Sequence, residues 1–355
     1  MQPEKERTMI CKDFNKALQE ALSRYEEACV VIDSRLRASY TLPCTDRLPV
    51  LWLEVSEERK TIETVRQIWD FLFAQQMTRR GVVVCIGGGV LTDMAGFAAA
   101  TYKRGTDFIT VPTTLLAMVD ASTGGKTGCN YGGLKNSVGL FAAPAETLIS
   151  PHWLTTLPAR EWLSGFAEML KTGLIDGERT AEGRLWDRLM QYDLETMEMP
   201  ELTALIAGCV AVKERIVAAD PHEEGMRKVL NFGHTFGHAL EELSFLPGQG
   251  EQGGLAHGYA VLYGMIAELY LSVTRLGCPQ APLQQLTRLM LQYYGKPTCR
   301  CSDRKQLTAL MQQDKKNERA AQINCTLLYD IGRPAINQVI PPDEADEALD
   351  YLFSL

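Results

Sequence analysis

The sequence predicts an α/β chain with an N-terminal Rossmann-like parallel-sheet domain and a C-terminal, mainly α-helical domain. Three observations predict it. Short apolar β-rich runs alternate with helical patterns through the first part of the chain. One of these runs, 81–86, leads into Gly87-Gly88-Gly89 and then a helix of small residues, which is the strand–turn–helix grammar of a βαβ unit. From about Pro158 onward the helical patterns stand almost alone. A length of 355 residues suits two domains, placed at 1–158 and 159–355.

In order, Ala28–Asp33 (ACVVID) and 48–53 (LPVLWL) read as buried strands. Over 62–77, Ile62, Val65, Ile68, Trp69, Leu72 and Phe73 recur three and four apart, an amphipathic helix. Gly81-Val82-Val83-Val84-Cys85-Ile86 has no polar alternation, as expected of a central parallel strand covered on both faces. A helix follows at 92–100 and a strand at 108–112. The stretch 112–136 is polar and Gly-dense and reads as a long functional loop. Helices are expected at 160–173, 181–189, 201–218, 235–243 and 258–276, with Pro158 and Pro200 at helix starts, and a strand at 323–329.

Composition narrows the function. Lys and Arg number 36 against 44 Asp and Glu, a net charge of −8, so broad binding to nucleic acid or to an anionic membrane is not expected. A local basic pocket for a small anion remains open. Uncharged apolar runs fall short of the roughly 18–20 residues that span a bilayer, and the first residues, MQPEKE, lack a signal-peptide core. Ten scattered cysteines, with only Cys299 and Cys301 close together, read as reduced thiols of a cytoplasmic protein.

Five groupings could carry chemistry. Gly87-Gly88-Gly89 could aim backbone amides at a pyrophosphate or could simply form a tight turn needing positive φ; its Thr92 stands where the full dinucleotide fingerprint has a third Gly. Lys126, Asn130, Lys135 and Asn136 could give charge and directional donors to a phosphate or polyol, or could be a solvated loop. His234, His238 and His257 cluster among glycines, the first two one helical turn apart; imidazoles from two helices with one carboxylate would make a catalytic Zn²⁺ site. Spacing does not name that carboxylate. Glu168 and Lys171 share a helix face and could be a surface ion pair or a partly buried functional one. Lys213, Arg227 and Lys315-Lys316 could bind anions or be solvated charges.

Together these segments resemble the 3-dehydroquinate synthases, a family of sugar phosphate cyclases. The resemblance runs from about residue 80 to 265 and rests on GGGVLTDMAGFAAATYKRG (87–105), VPTTLLAMVDASTGGKTGCN (111–130), KNSVGLF (135–141), TLPAREWLSGFAEMLK (156–171), AADPHEEGMRKVLNFGHTFGHALE (218–241) and HGYAVLYGM (257–265). It implies an NAD⁺-binding first domain and a metal-binding second one. It names Glu168, with His234 and His257, as ligands of Zn²⁺ or Co²⁺, and turns His238 to the substrate phosphate. Lys126, Asn136, Lys171, Lys213, Arg227, Asn231 and a lysine of 315–316, taken as Lys316, fall on substrate positions. Arg104 falls where the family reaches into a neighbouring subunit's site, which implies a homodimer. Asp33, Gly88, Gly89, Asp93, Thr113, Thr114, Asp120, Lys126 and Lys135 fall on NAD⁺ positions. Glu57 and Lys60 join them through a segment in which the family's Gly is Ser56.

The implied reaction belongs to the shikimate pathway of aromatic amino-acid biosynthesis. It turns 3-deoxy-D-arabino-heptulosonate 7-phosphate into 3-dehydroquinate and phosphate: oxidation at C5 acidifies the C6 proton, phosphate leaves, C5 is reduced again, and the opened ring closes by an aldol step. The cofactor is recycled, so the net class is lyase. Glycerol-dehydrogenase-like enzymes would share the architecture but need no such set of anion-binding residues. Sister cyclases acting on sedoheptulose 7-phosphate or glucose 6-phosphate lack a substrate carboxylate for Lys213, Arg227 and Asn231. An inactive NAD-binding module would not need the metal and lysine positions.

Overall fold

The computed structural model describes residues 7–40, 47–246, 254–298, 303–312 and 322–355. The chain divides into two compact units, Met1–Pro158 and Ala159–Leu355. The first unit contains β1 (Arg7–Ile10), α1 (Phe14–Leu22), β2 (Ala28–Asp33), β3 (Val50–Leu53), α2 (Ile62–Ala74), β4 (Val82–Gly87), α3 (Gly89–Thr101), β5 (Asp107–Pro112), β6 (Lys126–Tyr131), β7 (Leu134–Phe141) and β8 (Glu146–Ile149). Six strands form one sheet in the order β1-β8-β5-β4-β2-β3, every pairing parallel.

The order matters for the site. From β2 the chain moves outward to β3, then returns to the other side of β2 for β4 and continues through β5 to β8. The winding therefore reverses between β2 and β4, and ligands of open α/β sheets bind beyond the carboxyl ends of strands at such a point. Asp33 ends β2 and Gly87 ends β4 there. All six residues of β4 are buried, as its unbroken apolar run requires. Helix α3 buries eight residues and is apolar almost all round; a Cβ on its Gly96 would stand 2.9 Å from Thr127 Cγ2 and 3.1 Å from the Phe108 ring. Helix α2 buries Val65, Ile68 and Leu72 on one stripe, and its Trp69 indole donates to Ala98 O at 3.0 Å.

The second unit contains α4 (Ala159–Ile175), a short hairpin of β9 (Arg179–Thr180) and β10 (Gly183–Arg184), α5 (Leu185–Gln191), α6 (Met199–Ala219), α7 (His234–Ser244), α8 (His257–Leu276), α9 (Gln280–Leu289), α10 (Arg304–Gln312), the antiparallel pair β11 (Ile323–Asp330) and β12 (Arg333–Ile340), and α11 (Pro342–Ser354). Glycines set how closely three of its helices approach. A Cβ on Gly264 of α8 would stand 1.9 Å from Gly233 O, and one on Gly258 would stand 2.0 Å from Ser164 O of α4. Neither clash can be relieved by a side-chain rotation, so glycine is required at both.

Two expectations need correction. The stretch 112–136 is not one loop: a turn of π-helix at Ala117–Ala121 leads into the antiparallel hairpin β6–β7. The helix expected at 181–189 starts only at Leu185, because 179–184 fold into the β9–β10 hairpin around Gly183, whose φ is +109°.

Candidate functional site

In the second unit, Glu168, His234 and His257 each turn one ligand-type atom into a common point, all within 4.8 Å of one another. Glu168 Oε1 lies 3.8 Å from His234 Nε2 and 3.5 Å from His257 Nε2. The far nitrogens are engaged elsewhere. His234 Nδ1 is 3.1 Å from Phe232 O, and His257 Nδ1 is 2.9 Å from Glu241 Oε2. A carbonyl and a carboxylate can each accept an Nδ1–H, which would leave both Nε2 atoms to hold a metal at the common point. That is the donor set and outer support of a divalent-metal site with open positions. Electrostatics agree. Burial pulls the His257 imidazolium pKa down, but hydrogen bonds to Glu168 and Glu241 outweigh it and carry it up to about 10, so the pocket favours positive charge at this point. The residues present thus fit a divalent cation.

Two of the three ligands open helices. His234 and His257 are the first residues of α7 and α8. Gly233 enters α7 in the left-handed region at φ +81°, and the fully buried Glu268 of α8 accepts from Gly233 N at 2.6 Å and Thr235 N at 3.3 Å, satisfying amides that the first turn leaves open. Glu168 lies within α4, and its Oε2 takes the Lys171 ammonium at 2.5 Å with both side chains almost fully buried. This is not the surface ion pair that the sequence left open.

Further cations are buried nearby in sequence. Lys213 and Arg227 are both buried, unusual for either residue type. Cys209, one turn before Lys213 on α6, has its thiol raised by burial and by Asp176 and Glu168, which places that face of α6 toward the α4 pair. Arg227 donates from Nη1 to Pro221 O at 2.8 Å. Asp220 organises this loop: its carboxylate accepts from the backbone N of Arg227, Gly225 and Glu224, which holds it below the usual carboxylate range. Asn231 donates to Glu223 Oε1 at 3.2 Å. His238 stands beside the ligand group, its ring 5.2 Å from that of His234 and 6.0 Å from that of His257.

In the first unit, the candidate NAD⁺ residues gather at the reversal point of the sheet. Gly87, Gly88 and Gly89 all avoid positive φ, so the tight-turn reading does not explain them. Close packing does: a Cβ on Gly88 would stand 3.1 Å from Thr114 Cγ2, and one on Gly89 3.1 Å from Ala121 Cβ, next to Asp120. Thr113 N donates to Gly87 O at 3.0 Å. Asp33 is buried and takes Arg35 Nη2 at 2.6 Å. Lys60 is also buried, and its ammonium donates to Asp93 Oδ2 and to Asn136 Oδ1, both at 2.6 Å. Glu57 Oε1 accepts from Asn130 Nδ2 at 2.9 Å, and Asn130 Oδ1 accepts from Asn136 N at 2.8 Å. Lys126, Asp93, Thr92 and Ser122 line a small crevice beside this network. Lys135 is exposed on β7. Arg104 stands apart, exposed at φ +68° after Lys103 at +47°, at the far end of α3 from the Gly turn. Lys316 lies outside the described residues.

Sequence reasoning did not single out Glu241, Glu268, Asp220 or the bridging role of Asn130. Glu241 carried a faint signal, standing seven residues after His234 and so on the same face of α7.

Known proteins give the comparison. The family description "3-dehydroquinate synthase N-terminal" matches residues 50–164, and "3-dehydroquinate synthase C-terminal" matches 165–317. A 3-dehydroquinate synthase of Parabacteroides distasonis is 41% identical over 353 residues, spanning 98% of this chain and 97% of that protein. Among solved structures, a 2-epi-5-epi-valiolone synthase from Streptomyces hygroscopicus subsp. jinggangensis, with NAD⁺ and Zn²⁺ bound, superposes with a TM-score of 0.85 at 27% identity, covering 100% of this chain and 98% of that one. A 2-deoxy-scyllo-inosose synthase complexed with carbaglucose-6-phosphate, NAD⁺ and Co²⁺ shares the fold at a TM-score of 0.82 and 24% identity, covering 97% and 96%.

Proposed function

This chain belongs to the 3-dehydroquinate synthase family, and from that premise we propose how its own residues carry out the conversion of 3-deoxy-D-arabino-heptulosonate 7-phosphate to 3-dehydroquinate and phosphate. The observation that carries the reading is the joining, in one helical unit, of the Glu168–His234–His257 ligand set to the buried cations Lys171, Lys213 and Arg227. A polyol dehydrogenase would need the first but not the second.

When bound, NAD⁺ supplies reversible hydride transfer at C5, and Zn²⁺ or Co²⁺ held by Glu168, His234 and His257 supplies Lewis-acid polarisation of the oxygen that becomes a carbonyl. The protein's remaining task is positioning. Lys213, Arg227 and Asn231 hold the substrate carboxylate, where Arg gives a bidentate fork. His238 holds the phosphate, with Lys316 as a further candidate; in the first unit, Lys126 and Asn136 are the candidate substrate residues. Lys171 keeps Glu168 oriented and meets the substrate hydroxyls. Asp33, Gly88, Gly89, Asp93, Thr113, Thr114, Asp120, Lys135, Glu57 and Lys60 form the nicotinamide dinucleotide site; the pairing of Lys60 with Asp93 and the backbone packing at Gly88 support it. The units 1–158 and 159–355 then serve as cofactor and metal domains. No helix among the described residues is long and apolar enough to cross a membrane; the seven described cysteines are all buried thiols, which supports a reducing setting.

The net class is lyase. Purified protein given catalytic NAD⁺, a divalent metal and the heptulosonate phosphate should release phosphate and dehydroquinate together, with no growth of reduced-nicotinamide absorbance. Stoichiometric NADH would overturn the lyase reading in favour of a dehydrogenase.

Arg104 serves the partner subunit of a homodimer. The thirteen residues of α3 place it roughly 20 Å from the Gly turn of its own chain at 1.5 Å per residue. Two consecutive non-glycine residues at positive φ, costing about 1–3 kcal/mol each, present it to solvent. Mixing an Arg104→Ala chain with a Lys171→Ala chain should restore activity, because both defects segregate to one site of the heterodimer. Verified heterodimers no more active than the parental mutants would return Arg104 to its own subunit.

A further inference from the structure

The backbone and the side chain of His257 are held by different helices. Its backbone opens α8, where Gly258 N donates to Ser164 Oγ at 3.0 Å and the missing Gly258 Cβ lets the chain press on Ser164 O. Ser164 lies one turn before Glu168 on α4, so the start of α8 is pinned to the face that carries the carboxylate ligand. That contact does not set the imidazole torsions. The His257 side chain keeps 30% of its exposure against 11% for His234, so packing restrains it less. The His234 ring is steered by Phe232 O, two residues away. For His257 the corresponding group is Glu241, on α7, at 2.9 Å from Nδ1.

We propose that Glu241 is the positioning residue for the ligand His257. Its carboxylate accepts Nδ1–H, which turns Nε2 toward Glu168 Oε1 and would raise the basicity of that atom as a metal donor. The arrangement is reciprocal. Helix α7 lends Glu241 to the first residue of α8, while α8 lends Glu268 to the first turn of α7. The head of each helix is thus tied to a carboxylate of the other: Glu241 holds the His257 ring, and Glu268 holds the backbone amides on either side of His234. This inference rests on the reading of Glu168, His234 and His257 as metal ligands.

The test uses the metal alone on the full chain. Metal-free protein is titrated with Zn²⁺ against a chromophoric chelator, and the Co²⁺ form is followed by its visible absorption. Glu241→Gln keeps an acceptor oxygen for Nδ1–H but loses the charge, so Zn²⁺ affinity should fall about 10-fold; Glu241→Ala loses both and should fall about 100-fold with an altered Co²⁺ spectrum. A merely structural residue would lower the melting temperature of the metal-free protein and leave Zn²⁺ affinity within twofold of the parent, and that result overturns the proposal. His257→Ala in the same titration tests the reading beneath it. If that variant binds Zn²⁺ like the parent, the ligand assignment is wrong; if it loses Zn²⁺ while both Glu241 variants keep it, only the positioning role is wrong.

Discussion

Glu168→Ala, His234→Ala and His257→Ala should each emerge from purification without tightly bound metal and with most activity gone. The three ligand atoms converge within 4.8 Å and come from three helices, α4, α7 and α8, so no neighbour on the same helix turn can take over a lost position without moving the backbone. Loss of an outer partner already costs roughly 10- to 100-fold in metal affinity, so loss of a ligand should cost more. Glu168→Ala carries a second penalty. It removes the carboxylate that compensates the Lys171 ammonium at 2.5 Å in a nearly dry setting, and breaking one side of a buried pair costs about 3–5 kcal/mol. Its melting temperature should therefore fall further than those of the histidine variants, while Glu168→Gln, which keeps the volume, should separate lost metal from lost packing. Elemental analysis of the folded variants decides the matter: full occupancy in any one of them removes that residue from the ligand set.

How much of this was legible in the sequence depends on what each residue type reports. The apolar run through Cys85 announced a central strand because burial on both faces leaves no other choice, and the helices that bear Glu168, His234 and His257 were visible from their periodicity. The hairpin β6–β7 was not. Gly128 pairs with Gly139 across it, and a Cβ on either would stand within 2.4 Å of the opposite backbone, so the strands come together through residues of low β-propensity that read as loop. Lys60 came forward through the family resemblance and not through its own pattern; its burial between Asp93 and Asn136 depends on partners 33 and 76 residues away. The carboxylate ligand likewise could not be named from spacing: Glu168 precedes His234 by more than sixty positions, and only packing of α8 against both α4 and α7 through Gly258 and Gly264 brings it to the histidines. Glu241 and Glu268 look like ordinary helix charges until their acceptors are seen to face a ligand imidazole and the head of α7.

His238→Ala should keep its metal and its NAD⁺ affinity and yet turn over slowly. His234 and His238 share a face one turn apart, the spacing used where both histidines bind zinc, so sequence alone pairs them. The geometry supports different roles for them. The convergent group is Glu168, His234 and His257, and His238 sits at its side, edge-on to the His234 ring at 5.2 Å. From there an imidazole N–H can donate to the substrate phosphate and hold it for departure. A charge-assisted hydrogen bond of this kind contributes about 1.5–3 kcal/mol, which at 1.36 kcal/mol per factor of ten is a loss of roughly 10- to 150-fold in turnover. The loss should appear with phosphate-bearing substrate while Zn²⁺ content stays at the parental level. The contrast with His234→Ala is the informative part, since the two substitutions remove the same side chain from adjacent turns of one helix and should differ in metal content, not merely in degree of impairment. Near-complete metal loss in His238→Ala, with the helical circular dichroism intact, would make the two histidines joint ligands and move the phosphate contact to another residue.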